Sequence, residues 1–516
     1  MLDVTARRYV YVLPSVWALC GCSLAYNPDN LPAPALDAAP MPVVDGPSRE
    51  IDAAPDTGTI DDHALAITAV GPHVLFEGQG AGGSRSGILV IAGRNIAPDA
   101  VVTLVPTAPA GSAPLITLDG ANAVHTTDGT LVAVPVSLPI DVGRGAGDVA
   151  LTVQITQAGG AVIMPLDGQV VLRTLPELDA APTGALAALY SRVKLSSALT
   201  LAASAGAAPV VIRAVSSIDL RDVHLDAAAS VPGVGGNAGG AAGQVGSGPG
   251  GGLGGGLLSG GVVMAGSGGG FGTAGGVGKS SLGGTNAGGA IAGDDLLFLT
   301  TNRSSGGGGG SSVPGGGGGG TLELTCGGTL KADTISANGG AGGNDSLLNG
   351  AGGGGSGGAI LLRAGAAATI GKVTVTGGPG GDHSHTGGAV AGTGGEGRVR
   401  FDLAATVGTP MLPASSRAGV AFSSKAGDNP LITRDAAQGI TVTTKISATS
   451  SNAFDLFVFD AEQTTVDSQN VSLVSATTVL KPRIAPGYNR VCVTPHQRNP
   501  LVDVSVTNCV DVAYAP

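Results

Sequence analysis

Aromatic residues are scarce in this 516-residue chain, at 3% of positions with a single tryptophan. Any core must therefore be aliphatic, and with 43% apolar residues the material for one is there. Charge is scarce as well, at 12%, and sums to −11. Without a basic excess there is no face to meet phosphate, which excludes a general nucleic-acid partner. No HExxH or P-loop pattern occurs and no GxSxG elbow is read, so the usual signatures of zinc hydrolysis, phosphate binding and acyl transfer are missing. What abounds is glycine: 91 residues, of which 65 lie between 231 and 400. The length is that of two to four domains.

Arg7 and Arg8 precede an apolar run from Tyr9 to Leu19, and "LCGC" follows. A charged start, a short apolar stretch and small residues make a secretory signal, and the run is too short to span a bilayer. "LCGC" resembles a bacterial lipobox, with Leu19, Cys20 and Gly21 before Cys22. That resemblance implies a signal peptide over 1–22, lipidation of Cys22 and membrane attachment through the lipid. Residues 23–63 then form a tether. Within 27–62 there are seven prolines and eight acids against the single base Arg49, a composition that cannot bury enough apolar surface to fold. It reads as a solvated, extended spacer.

From 64 to 178 the texture is that of short alternating strands separated by turns, which suggests a β-sandwich. "VIAGRNIAPDAVVTL" resembles the TIG/IPT immunoglobulin-like family, with its strand, Gly-x-Asn turn and second strand. The resemblance implies a spacer or binding module.

Three segments align without gaps: "VVIRAVSSIDLRDVHLDA" from 210, "LELTCGGTLKADTISANG" from 322 and "ILLRAGAAATIGKVTVTG" from 360. The positions of Val210, Ile212, Ala214, Ile218, Leu220, Val223 and Leu225 are apolar in all three copies, 21 of 21. The period of two means strands with one face inward, and a phase change between 220 and 223 marks a corner. One copy cannot bury its apolar face alone, whereas stacked copies can. Residues 187–408 are therefore expected to form a glycine-rich β-solenoid of the parallel β-helix kind. "VKLSSALTLAA" is an earlier partial coil and "GRVRFDLAATVG" the last, with Val399, Phe401 and Leu403 inward. Glycine-rich insertions at 230–320, 338–358 and 377–396 sit at the corners, either as loops or as packed extended glycine helices. This region resembles glycine-rich surface proteins of myxobacteria and related bacteria, and is similar to the glycine-rich domain of certain receptor kinases. Both resemblances imply an extracellular scaffold.

The intervening positions read as a solvated outer face: Asp219, Asp222, His224 and Asp226; Glu323, Lys331 and Asp333; Arg363 and Lys372. A β-helix enzyme needs acids and bases clustered on such a face. Asp222, Asp333 and Gly371 make only a thin ladder, and His224 with Asp226 is the one candidate pair, so no catalytic residue is assigned. Asp382, His383 and His385 are a weak transition-metal set that needs a further ligand. "GGAGGNDSLLNGAGG" at 339–353 resembles one calcium-binding RTX nonapeptide, displaced by an extra glycine at Asn344 and Asp345; calcium sites there need tandem repeats. No metal and no cofactor is expected.

Residues 427–516 read as a C-terminal β-sandwich. "LKPRIAPGYNRVCVTP" resembles bacterial immunoglobulin-like repeats, and "DLFVFDAE" resembles jelly-roll modules. In an exported chain Cys492 and Cys509, on neighbouring strands, are expected to form a disulfide. Cys326 aligns with Ala214 and Ala364 and is expected to point inward as a small apolar residue. Together these readings describe an all-β, lipid-anchored, non-enzymatic envelope protein shaped as a stalked rod. It would be structural or adhesive, with a polysaccharide or protein partner at the cell surface. A carbohydrate-active enzyme or a calcium- or ligand-binding module is the alternative.

Overall fold

The computed structural model describes residues 64–80, 87–107, 116–140, 147–163, 170–182, 186–201, 207–294, 303–346, 350–383, 389–418, 431–433, 440–443, 453–472, 477–495 and 509–515. The lipobox with Cys22 and the tether lie outside the described residues. Among the described residues the protein is all-β, its only helical element a 3-10 turn at Gly120–Asn122.

The first part carries two sheets of five strands each. One runs Ala66–Gly71, Gly87–Arg94, Leu131–Ser137, Thr117–Leu118, with Val124–His125 also on Leu131–Ser137; the other runs Val74–Phe76, Val170–Thr174, Gly147–Gln157, Val101–Pro106, with Gly160–Ile163 also on Gly147–Gln157. Leu89, Ile91, Val132 and Val134 of one sheet share a buried cluster with Leu75, Leu151, Val153 and Leu172 of the other. The Gly-Arg-Asn turn closes with Asn95 at φ 56°, a left-handed conformation that asparagine tolerates better than most residues. "GILVIAG" is a continuous apolar run rather than an alternating one because the Gly87–Arg94 strand is covered on both faces. Ile88 and Val90 pack with Tyr488, Ala513 and Ala515 from the end of the chain.

That contact corrects the expected rod. The last sheet, in the order Leu431–Thr433, Cys509–Ala515, Gly487–Pro495, Ala453–Phe459, Thr465–Ser472, returns to pack on the first. The His73 amide donates to the Ala461 carbonyl at 3.2 Å. An alternating strand shows that it has an inner face but not which distant strand will cover its outer one.

The central sheet has nine strands, and its pairings are parallel. Val210–Ala214 pairs with Thr321–Cys326, which pairs with Ala359–Thr374, which pairs with Arg398–Val407. Ile218–His224 pairs with Leu330–Ser336, which pairs with the second half of Ala359–Thr374. Val210 stands opposite Leu322, and Leu322 opposite Ile360, the register of the gapless alignment. All 21 aligned apolar residues belong to one buried cluster. The partial coil pairs as expected, Val193 with Ile218 and Leu199 with Val223. Val399 and Leu403 are buried at the far end, with Phe401 half-buried against them.

The described parts of the glycine-rich segments are knitted by backbone hydrogen bonds, sets of which repeat every third residue. The amides of Gly352, Gly355 and Gly358 donate to the carbonyls of Gly343, Gly340 and Ala337. Gly316 and Gly319 donate to Gly353 and Ser356, while Gly266 and Gly269 donate to Ala351 and Gly354. A three-residue period without internal bonds is that of an extended threefold helix, which must find its partners in neighbouring segments. Side chains have no room between the segments. A Cβ on Gly353 would overlap the Ser267 carbonyl, and one on Gly310 the Gly350 carbonyl.

Candidate functional site

The parallel sheet has two outer faces, one over each row of strands, and the sequence treated both as solvated. On the row containing Val210–Ala214 the structure shows otherwise. Glu323, Thr325, Arg363, Arg400 and Asp402 are all buried, Arg363 completely. Over Ala359 and Leu361 a glycine-rich segment supplies the cover, with Phe271 fully buried against both. Arg398 lies 5.7 Å over the Phe271 ring, and its guanidinium donates to the carbonyls of Ala292 at 3.1 Å and Gly293 at 3.3 Å.

Charges placed in such a setting need partners, and the register supplies them. Asp402 Oδ1 accepts from Arg400 Nε at 2.9 Å, and Arg363 Nε lies 3.3 Å from Asp402 Oδ2. One step along, Glu323 Oε1 accepts from Arg213 at 3.2 Å and from the Thr325 hydroxyl at 3.0 Å. Sequence reasoning missed these two clusters. The signal was present, because Arg213, Thr325, Arg363 and Asp402 occupy one column of the alignment and Glu323 and Arg400 another. A buried arginine held by a carboxylate is a clamp, not an acid or base at neutral pH.

The face over Ile218–His224 is exposed, with Lys331 3.5 Å from Asp219. Asp222 stands opposite Thr334, and Thr334 opposite Lys372; Asp333 falls at the corner that the pairing skips. The expected ladder of Asp222, Asp333 and Gly371 is therefore not formed. The candidate pair, His224 and Asp226, is bridged by a third residue. Ser336 Oγ donates to Asp226 Oδ2 at 2.8 Å and lies 2.9 Å from His224 Nδ1. Asp226 Oδ1 also accepts from the Asn338 amide. This is not a nucleophile arrangement. The Ser336 proton is committed to the carboxylate, the side chain is buried, and Asp226 does not orient the imidazole. Gly354 to Gly358 does spell G-x-S-x-G, but Ser356 is fully buried, accepting from the Ser305 amide at 2.8 Å and donating to the Gly357 carbonyl at 3.2 Å.

The two weak metal segments, read separately in the sequence, come together. The Asp345 amide donates to the Asp382 carbonyl at 2.9 Å, the Asp382 amide donates to Asn344 Oδ1 at 2.8 Å, and Asp345 and His383 form a parallel bridge. Their side-chain and backbone atoms thus tie two loops; His385 lies outside the described residues. Among the described residues no group of three or more histidine, cysteine or acidic side chains converges. Cys492 and Cys509 are joined in a disulfide, on directly opposed positions of antiparallel strands. Cys326 is buried and free, and burial pushes its thiol up to about 12. It sits in the column of Ala214 and Ala364, as the alignment implied. Among the described residues no helix is long and apolar enough to cross a membrane.

Comparison with known protein families, with curated proteins and with solved structures finds no match.

Proposed function

We propose that the chain is an exported lipoprotein of the bacterial cell envelope, held at the outer membrane or cell surface through lipid on Cys22. It acts there as a structural or adhesive scaffold and catalyses no reaction. In this reading the central sheet is a β-solenoid decorated by glycine helices, flanked by a TIG-like and a second immunoglobulin-like or jelly-roll sandwich. Residues 23–63 hold the body off the membrane, where it meets a polysaccharide or protein. One observation supports the scaffold above all. The charged groups of one sheet face are held in buried ion pairs, and the polar residues of the other face bond to one another along the ladder. Polar groups used this way rigidify a structure rather than turn over a substrate.

Radiolabelled palmitate and membrane fractionation test the anchor. The wild-type protein should carry label and sediment with envelopes, and Cys22→Ser should do neither. A Cys22→Ser protein that still sediments and still carries lipid refutes it. Reducing-end assays on a polysaccharide panel test the rest: turnover that disappears in His224→Ala would replace the scaffold with an enzyme.

A further inference from the structure

The central sheet is built in layers, each with one strand in either row, and its first layer is incomplete. Val193–Leu195 and Leu199–Thr200 supply the second row beside Ile218–His224. Among the described residues no strand lies in the first row beside Val210–Ala214, which ends the sheet order. A single residue marks the C-terminal end of that missing strand. Tyr190 bridges Ala214, its amide donating to the Arg213 carbonyl and its carbonyl accepting from the Val215 amide, both at 2.9 Å. N-terminal to it, Leu186–Ala188 stand across a cleft from the edge, and the Ala187 amide donates to the Tyr190 hydroxyl at 2.8 Å.

The two Tyr190 bonds fix which groups face this side. Backbone groups alternate along a strand, so the residues pointing toward Tyr190 are 211, 213 and 215, while 210, 212 and 214 point toward Thr321–Cys326. The Val211 N–H and C=O therefore face the edge that the described residues leave open. Beside them lies a cleft of about 540 Å³, walled by Leu186, Ala187, Leu201, Pro209, Val211 and Val234 among others. That volume is within the range of roughly 300–1,000 Å³ common to ligand sites.

We infer that this edge binds an extended peptide, added as a parallel strand beside Val210–Ala214. The backbone argues for a peptide, since only a strand offers amide and carbonyl groups at the spacing that Val211 presents. The cleft argues for its side chains. Residues directed inward would continue the column of Val210 and Ile212, so every second one must be small and apolar. Tyr190 sets direction and length: the peptide runs with Val210–Ala214, and its C-terminal end abuts Tyr190. This inference holds whether or not the protein is lipid-anchored.

The probe is a fluorescein-labelled acetyl-Thr-Val-Thr-Val-Thr-Val amide, measured by anisotropy against the full chain. Val211→Pro removes the Val211 N–H from the edge and leaves the ladder to Thr321–Cys326 intact, and edges tolerate proline. Binding should fall roughly tenfold or more in this variant, the scale of one lost hydrogen bond, with circular dichroism unchanged. Ala188→Trp, which fills the cleft from its other wall, should also abolish binding and serves if the proline variant misfolds. A peptide N-methylated along one edge should not bind. The inference is overturned if the unmodified peptide does not bind. It is equally overturned if methylated peptide or correctly folded Val211→Pro binds as well as the parent, which leaves only a greasy crevice. Concentration-dependent dimers that Val211→Pro abolishes would assign the edge to a second copy instead.

Discussion

At the residue scale, parity along a strand settles which side chains face the core, but not whether the other face is wet. Leu362 is fully buried in the central cluster, and Leu362→Ala should cost about 2–5 kcal/mol in a denaturant titration. Sequence parity alone would place its neighbour Arg363 in solvent, where truncation costs at most about 0.5 kcal/mol. The complete burial of Arg363 changes that expectation. Asp402→Asn would remove one carboxylate charge from the buried pairs with Arg363 and Arg400 and should cost about 3–5 kcal/mol, comparable to the core leucine. A loss below about 1 kcal/mol would show that water reaches this cluster. A second site responds to pH. Burial holds the His125 imidazole below its usual value of 6.5, and the Asp99 charge only partly offsets this. The folded state then binds fewer protons than the unfolded one. Stability is unaffected above about pH 6.5 and falls as the pH drops below it. His125→Asn should flatten the acid limb of a melting-temperature profile; an unchanged limb would exclude His125 as its source.

At the element scale, the central strands were legible because three copies repeat the same parity, so the register followed from offsets alone. Val210, Leu322 and Ile360 meet as aligned. The order in the glycine segments was not legible. Their bonds run between segments far apart in sequence, as from Gly392 to Gly266, and a composition that forms loops also forms packed threefold helices. The covered face and its ion clusters were hidden for the same reason. Glycine substitutions separate the two states of such a segment. Gly353→Ala places a methyl against the Ser267 carbonyl and should destabilise by about 1–3 kcal/mol or more, as overpacking does. Gly256→Ala meets nothing within 4 Å and should stay within about 0.5 kcal/mol. Equal, small effects at both positions would mean that the segments are loop in solution.

At the scale of the whole molecule, the last sheet closes back on the first, and that contact makes the unfolding of the two interdependent. Tyr488 lies in the shared cluster with Ile88, Val90 and Leu131, and its hydroxyl donates to Asp511 Oδ1 at 2.9 Å. Asp511 also accepts from Arg490 at 2.7 Å, so the tyrosine is held rigidly where it meets the first sheet. Beside it, Cys492 and Cys509 close a loop of 17 residues, worth roughly 3 kcal/mol on the chain-entropy view. Reduction should therefore destabilise the last sheet directly, and the first sheet only through the lost contact. Hydrogen exchange can read the two separately. In the Cys492→Ala, Cys509→Ala double variant, protection should fall throughout Gly487–Pro495, and by a smaller amount in Gly87–Arg94. It should be unchanged in Thr321–Cys326, which shares no cluster with either. Tyr488→Ala should lower protection in Gly87–Arg94 while the disulfide stays intact. If Gly87–Arg94 is indifferent to both changes, the two sheets unfold independently, and its covered outer face needs another explanation.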